Sequence, residues 1–233
     1  MNLSLTHFNL ITPLVVLVTY FSAFQKGKVT CENYLRNTFL YLLSIYCIFI
    51  SSMSYEKEKK LNQGLFSIGG LIATFGLIIF MYQTKNILFK HLCLLFITIY
   101  LGITSYQFIS RFDFELIQQT IIRVLIAFVF CMFFVSRYGH LLKEKGYHYL
   151  LSFFFVLFIV YLIDVFFISK EHDLMYSYLF IGVMIGFLLY DIKFILRRKE
   201  NCNSSNVDYI DTSLDIFLDT LNLFKHGLLL SDN

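Results

Sequence analysis

Apolar runs of helical length, broken by short polar stretches, organise this chain. They fall at about 8–24, 38–55, 65–82, 92–109, 120–136, 150–169, 174–196 and 212–230. Crossing a hydrocarbon layer ~30 Å thick takes roughly 20 helical residues, within a range of about 17–25, and all eight runs fit. Barrel strands would alternate polar and apolar residues over about ten positions. These runs are continuous, so the pattern predicts helices. The connections, such as "EKEKK", "QTKN", "KEHD" and "RRKENCNSSNVD", are too short to separate two domains. The expected fold class is therefore all-α, a single polytopic transmembrane helical bundle.

Composition strengthens that reading. The 233 residues are 58% hydrophobic and 15% charged, with 28 Phe, 16 Tyr and one Pro. A soluble domain carries about a quarter of its residues as charges, so the composition argues against a globular α/β enzyme. The net charge of +3 is spread over short basic clusters between the apolar runs. Such clusters anchor membrane edges and do not form the continuous basic stripe that nucleic acid requires. Five cysteines (Cys31, Cys47, Cys93, Cys131 and Cys202) are odd in number, scattered and without a CxxC. That predicts buried free thiols, with neither a disulfide framework nor a zinc site.

Lys and Arg also set the orientation. The loops after the first, third, fifth and seventh runs hold twelve of them and the opposite side six, with Arg123 inside a run. The twelve-charge side is assigned to the cytoplasm and the N-terminus to the other side. The first run reads as an uncleaved span rather than a signal peptide, because Lys26 and Lys28 follow its apolar core instead of preceding it. Asn203-Ser204-Ser205 falls on the cytoplasmic side, and Asn2-Leu3-Ser4 lies close to the membrane. Neither sequon is expected to carry a glycan.

A charge at the bilayer centre costs at least about 2.5–3.5 kcal/mol, so each one needs a partner, water or a role. The candidates are Arg123, Asp164, Asp191, Asp215 and Asp219. Arg123, three residues into "TIIRVLIAF", either snorkels or pairs with a buried carboxylate. Asp164 is either interfacial or pore-lining. Asp191 lies inside the seventh run or at its wet end. Lys90, His91, Lys193 and Lys225 stand near run ends and can snorkel. Asp211, just before the last run, and Asp215 and Asp219 within it recur every four residues, and Asn222 and His226 continue the stripe. At 1.5 Å per residue Asp215 and Asp219 are about 6 Å apart on one side of a helix. An interfacial helix usually has a basic polar face, whereas this face is acidic and better suits a bundle interior or a wet cavity. Asp208 and Asp211 suit capping of the helix N-terminus. Gly182-x-x-x-Gly186 predicts close helix approach, and Gly69-Gly70 and Gly76 predict close contacts or a bend.

The C-terminal third resembles the transmembrane Bax inhibitor motif family. The penultimate helix of that family ends in Tyr-Asp, as Tyr190-Asp191 does here. Its last helix reads approximately Asp-Tyr-Ile, Ser-Leu, Leu-Asp and Asn-Leu-Phe, present as Asp208-Tyr209-Ile210, Ser213-Leu214, Leu218-Asp219 and Asn222-Leu223-Phe224. Weaker similarity in "NYLRNTFLYLLSIY" and "LFITIYLGITSYQFI" extends the resemblance over Tyr34–Phe224. It implies a seven-helix core plus an extra N-terminal segment, divided as 1–33 (segment and loop) and 34–233 (a single Bax inhibitor-like domain). Some members place an Arg on the second core helix near the acidic pair, and 65–82 contains no Arg or Lys.

What the resemblance implies is a non-enzymatic calcium leak with pH sensing and death-suppressing activity. Asp191 and Asp219 would be its pore pair and its weak, transient Ca²⁺ ligands. Asp215, Asn222, Asp164 and Arg123 would form a supporting polar path. No cofactor is expected, since Ca²⁺ is the permeant ion. The expected partners are membrane lipids, Ca²⁺ and other membrane proteins. The expected setting is the endoplasmic reticulum or Golgi for a eukaryotic or viral protein, and the inner membrane for a bacterial one. Two carboxylates at short range share a proton and titrate as a unit, which would couple permeation to pH. Two other readings compete. An intramembrane aspartyl protease also uses a Tyr-Asp, but it needs Gly-x-Gly-Asp and Pro-Ala-Leu, where this chain has "IFLD" and Pro13 as its one proline. A non-conducting protein that binds other membrane proteins is the second.

Overall fold

The computed structural model describes residues 5–25, 28–59, 68–167, 173–200, 202 and 207–231. Eight α-helices carry the described chain: α1 (Leu5–Ala23), α2 (Tyr34–Lys59), α3 (Ile68–Gln83), α4 (Ile87–Ile109), α5 (Phe114–Tyr138), α6 (Glu144–Phe167), α7 (Asp173–Glu200) and α8 (Tyr209–Ser231). Each matches one apolar run. Most begin several residues before it, because polar residues at a membrane edge continue the helical hydrogen bonding that the apolar run starts. Four helical segments among the described residues are long and apolar enough to cross a membrane: Tyr34–Tyr55, Ile87–Ile109, Phe114–Leu141 and Leu174–Glu200. A two-residue antiparallel pairing, β1 (Phe24–Gln25) with β2 (Lys28–Val29), follows α1.

The chain forms two compact units, Met1–Arg111 with Lys199–Phe217, and Phe112–Arg198 with Leu218–Asn233. In the first, α1 runs antiparallel to α2 and is held by hydroxyls. Thr12 Oγ1 meets Ser51 Oγ at 2.7 Å, Thr19 Oγ1 meets Ser44 Oγ at 2.6 Å, and Ser22 donates to Asn37 Oδ1 at 3.2 Å. Helix association in lipid cannot draw on hydrophobic burial, so such bonds, at about 0.6 kcal/mol each, add to dispersion. Helix α4 approaches α2 closely at Gly102, where a Cβ would stand 2.6 Å from the Phe49 carbonyl oxygen. Phe217 of α8 packs edge-on between Tyr46 and Phe49 of α2, with ring centroids 5.3 and 5.4 Å away.

In the second unit, Leu157 of α6, Tyr176, Phe180, Val183 and Met184 of α7, and Leu223 of α8 form one buried cluster. Gly186 admits Leu150 of α6, whose side chain would lie 2.9 Å from an added Cβ. Gly182 has nothing within 4 Å of that position, so only one half of the Gly-x-x-x-Gly pair mediates contact. Gly70 and Gly76 of α3 divide in the same way, with Gly70 against the Tyr100 ring and Gly76 open. The Tyr190 hydroxyl donates to the Lys143 carbonyl at 3.0 Å, and Lys193 Nζ donates to the Leu142 carbonyl. Both bonds fasten α7 to the turn before α6.

One expectation fails. Cys31 and Cys202 are joined by a disulfide with Cα atoms 5.7 Å apart, while Cys47, Cys93 and Cys131 are free and buried. A separation of 171 residues hid the pair in the sequence. The packing of α8 on α2 unites them: the Ser213 hydroxyl donates to the Thr38 carbonyl at 2.9 Å, and the Tyr34 and Tyr209 rings lie 5.3 Å apart.

Candidate functional site

The acids of α8 meet different partners along the helix. Asp208 is the N-cap, its Oδ1 accepting from the Ile210 and Asp211 backbone N–H groups at 3.1 and 3.0 Å. That is the role its position predicts. Asp211, expected to cap, instead shares the Lys90 ammonium with Asp208. Lys90 is only 6% exposed. Its reading as a snorkelling end residue is therefore corrected: its ammonium goes inward because two carboxylates await it. Burial works to raise the Asp208 carboxyl, but the Lys90 ammonium and the Asp211 N–H outweigh it and hold the group below its ordinary range.

Aromatic residues next to these charges in the sequence, His91 and Tyr209, pack on one ring of α2. Tyr41 stacks on His91 and on Tyr209, with centroids 5.7 and 6.1 Å away, and its hydroxyl lies 3.4 Å from His91 Nε2. Further along α8, the half-buried Asp215 accepts a hydrogen bond from the Tyr82 hydroxyl at the end of α3. The absence of an Arg or Lys from 65–82 is thus answered by a charge on α4, while α3 itself contributes only the Tyr82 phenol.

Asp219 and Asp191 belong to the second unit, on α8 and α7, and both are half-buried. The two helices are pinned where His226 stacks on Phe180, with centroids 4.8 Å apart and planes 13° from parallel, and where His226 Nδ1 lies 3.4 Å from Ser177 Oγ. Leu223 then joins Val183 and Met184, so α7 and α8 run antiparallel from that anchor. At 1.5 Å per residue, Asp191 is about 16 Å along α7 and Asp219 about 10 Å along α8, an offset of about one turn.

The other sequence candidates fall elsewhere. Arg123 is exposed and donates to Ser231 Oγ at 2.6 Å. It therefore sits at the C-terminal end of α8, where a cation complements the helix dipole. Ser231 is about 18 Å of helix rise from Asp219, so Arg123 keeps company with a hydroxyl at that end rather than with the acids. Asn222 is exposed. Asp164 lies in α6, but its side chain is outside the described residues. Sequence reasoning missed the roles of Lys90, Tyr82 and Ser177. The signal available for Lys90 was two acids three residues apart at a helix start, which together call for a cation.

A family model described as "Inhibitor of apoptosis-promoting Bax1" matches residues 8–230. The chain belongs to the Bax inhibitor family. The matched range begins within α1 and ends within α8, so it takes in all eight helices of this Bax inhibitor family protein. Family membership and the apolar helices together identify a multi-pass integral membrane protein of the Bax inhibitor type. No curated protein matches the chain.

Proposed function

We propose that this Bax inhibitor family protein is a non-catalytic, pH-sensitive calcium leak of an internal membrane that modulates cell death, with Asp191 and Asp219 as its pore and sensing pair. The observation that carries the reading is the placement of two half-buried carboxylates on α7 and α8, which pack antiparallel within one unit. Along the helix axes the two positions differ by about one turn, which supports reading them as neighbours on one path. Calcium prefers hard oxygen ligands, and a full site takes six to eight of them. Two carboxylates make only a weak site, as conduction requires. A shared proton occupies the same place as the cation, so protonation and permeation compete.

Calcium flux into proteoliposomes, measured across a pH series, tests the reading. Wild-type flux should vary with pH, and Asp191→Asn and Asp219→Asn should each flatten that dependence. An Asp219→Asn protein indistinguishable from wild type at every pH would overturn the paired-aspartate mechanism. Purified protein that moves no calcium yet binds another membrane protein through its helices would favour the non-conducting role.

A further inference from the structure

Cys31 and Cys202 stand in the connections after α1 and α7, both on the side that the Lys and Arg distribution assigns to the cytoplasm. Disulfides there are rare, because glutathione keeps thiols reduced, and those that form are usually transient and regulatory. The two sulfurs nevertheless meet, and both residues are partly exposed. The three remaining cysteines are buried. What the bond holds is also specific. Cys31 opens the turn into α2, in which Asn33 adopts φ 58 and the Tyr34 N–H donates to the Cys31 carbonyl at 3.3 Å. Cys202 lies six residues before Asp208, the cap of α8. Between them, Tyr34 lies against Tyr209 and its hydroxyl is 3.4 Å from Thr212 Oγ1, beside the buried Lys90, Asp208 and Asp211 cluster.

We propose that Cys31 and Cys202 are a reversible thiol–disulfide switch, exchanging with glutathione, that fastens the N-terminal end of α8 to the start of α2 when oxidised. One cysteine thiolate attacks glutathione disulfide and releases one glutathione. The second thiolate attacks the resulting mixed disulfide and releases the other. The protein gives up two protons and two electrons, and one glutathione disulfide becomes two glutathione molecules. Reduction by two glutathione molecules runs the same steps backwards. The switch is independent of ion conduction, since it concerns the attachment of α8 and not the Asp191 and Asp219 pair.

The test uses the full-length protein in lipid nanodiscs, equilibrated with glutathione buffers set to a cytosol-like or a secretory-pathway-like ratio. Free thiols are then alkylated, and the linked Cys31–Cys202 peptide is quantified by mass spectrometry. It should dominate in the oxidising buffer and fall by about tenfold or more in the cytosol-like one. In parallel, amide hydrogen exchange at 209–216 should be about tenfold faster in the reduced protein. Cys202→Ser should show the faster exchange in both buffers. Three results overturn the proposal: a linked peptide undiminished in the cytosol-like buffer, one that never forms in the oxidising buffer, or exchange at 209–216 unchanged between the two states. Should Cys202→Ser fail to fold, the wild-type titration and its exchange rates decide the matter alone.

Discussion

Lys90 shows how far one side chain can depart from its position in the sequence. Near the end of an apolar run it is placed to snorkel, yet it is buried because Asp208 and Asp211 converge on it from α8. Removing one partner from a buried ion pair leaves an uncompensated charge, at a cost of about 3–5 kcal/mol. Lys90→Met should therefore lower thermal stability strongly, and adding Asp208→Asn with Asp211→Asn should recover most of the loss. Recovery is expected because neutral groups carry no such penalty. Thermal melts of the purified variants would decide it, and a Lys90→Met protein as stable as wild type would refute the pairing. Asp208 carries a pH dependence as well. Its folded pKa is lowered, so its contribution is present above the ordinary carboxylate value of about 3.9 and is lost as pH falls through the lowered one. Melting temperature should drop over that acid range. Asp208→Asn, which keeps a capping side chain, should make the drop shallower.

The helices were legible as elements because apolar periodicity and length are local properties, and each of α1–α8 overlies a predicted run. Which faces meet was less legible, as the glycines illustrate. Gly182-x-x-x-Gly186 has the spacing of a close-approach motif, but only Gly186 touches a neighbour, while the isolated Gly102 lets α4 come against the α2 backbone. Spacing says that small residues share a face and not which helix arrives there. Gly102→Ala must displace backbone at Phe49 and should cost about 1–3 kcal/mol, the range for overpacked sites. Gly182→Ala meets open space and should be neutral or mildly stabilising, within about 1 kcal/mol. Unfolding of the two variants in a common detergent separates these outcomes, and equal stabilities would mean that α2 and α4 yield more easily than backbone contact allows. The acidic stripe of α8 divides similarly. Its four-residue repeat was visible, but its partners were not, because Lys90 and Tyr82 come from distant positions.

At the scale of the whole molecule, orientation decides what the chemistry can mean. By the positive-inside rule, the twelve-to-six distribution of Lys and Arg assigns the connections after α1, α3, α5 and α7 to the cytoplasm, an expectation that a glycan test can check. Those connections contain both disulfide cysteines, and α4 and α8 begin beside them with the Lys90 cluster. The disulfide was illegible because its partners lie 171 residues apart, and nothing in scattered single cysteines specifies a pairing. Charge count and redox chemistry therefore bear on one side of the membrane, and they can be tested together. The sequon Asn203-Ser204-Ser205, outside the described residues, follows Cys202 directly in the sequence. Glycans are added only in the secretory lumen, so a glycan on Asn203 would put Cys202 in an oxidising compartment and make the disulfide a permanent structural bond. The expected result for protein made in eukaryotic cells is no glycosidase-induced gel shift, and no difference between wild type and Asn203→Gln. A shift that Asn203→Gln abolishes would reverse the orientation of every helix and remove the cytoplasmic setting in which a glutathione-responsive switch has a purpose.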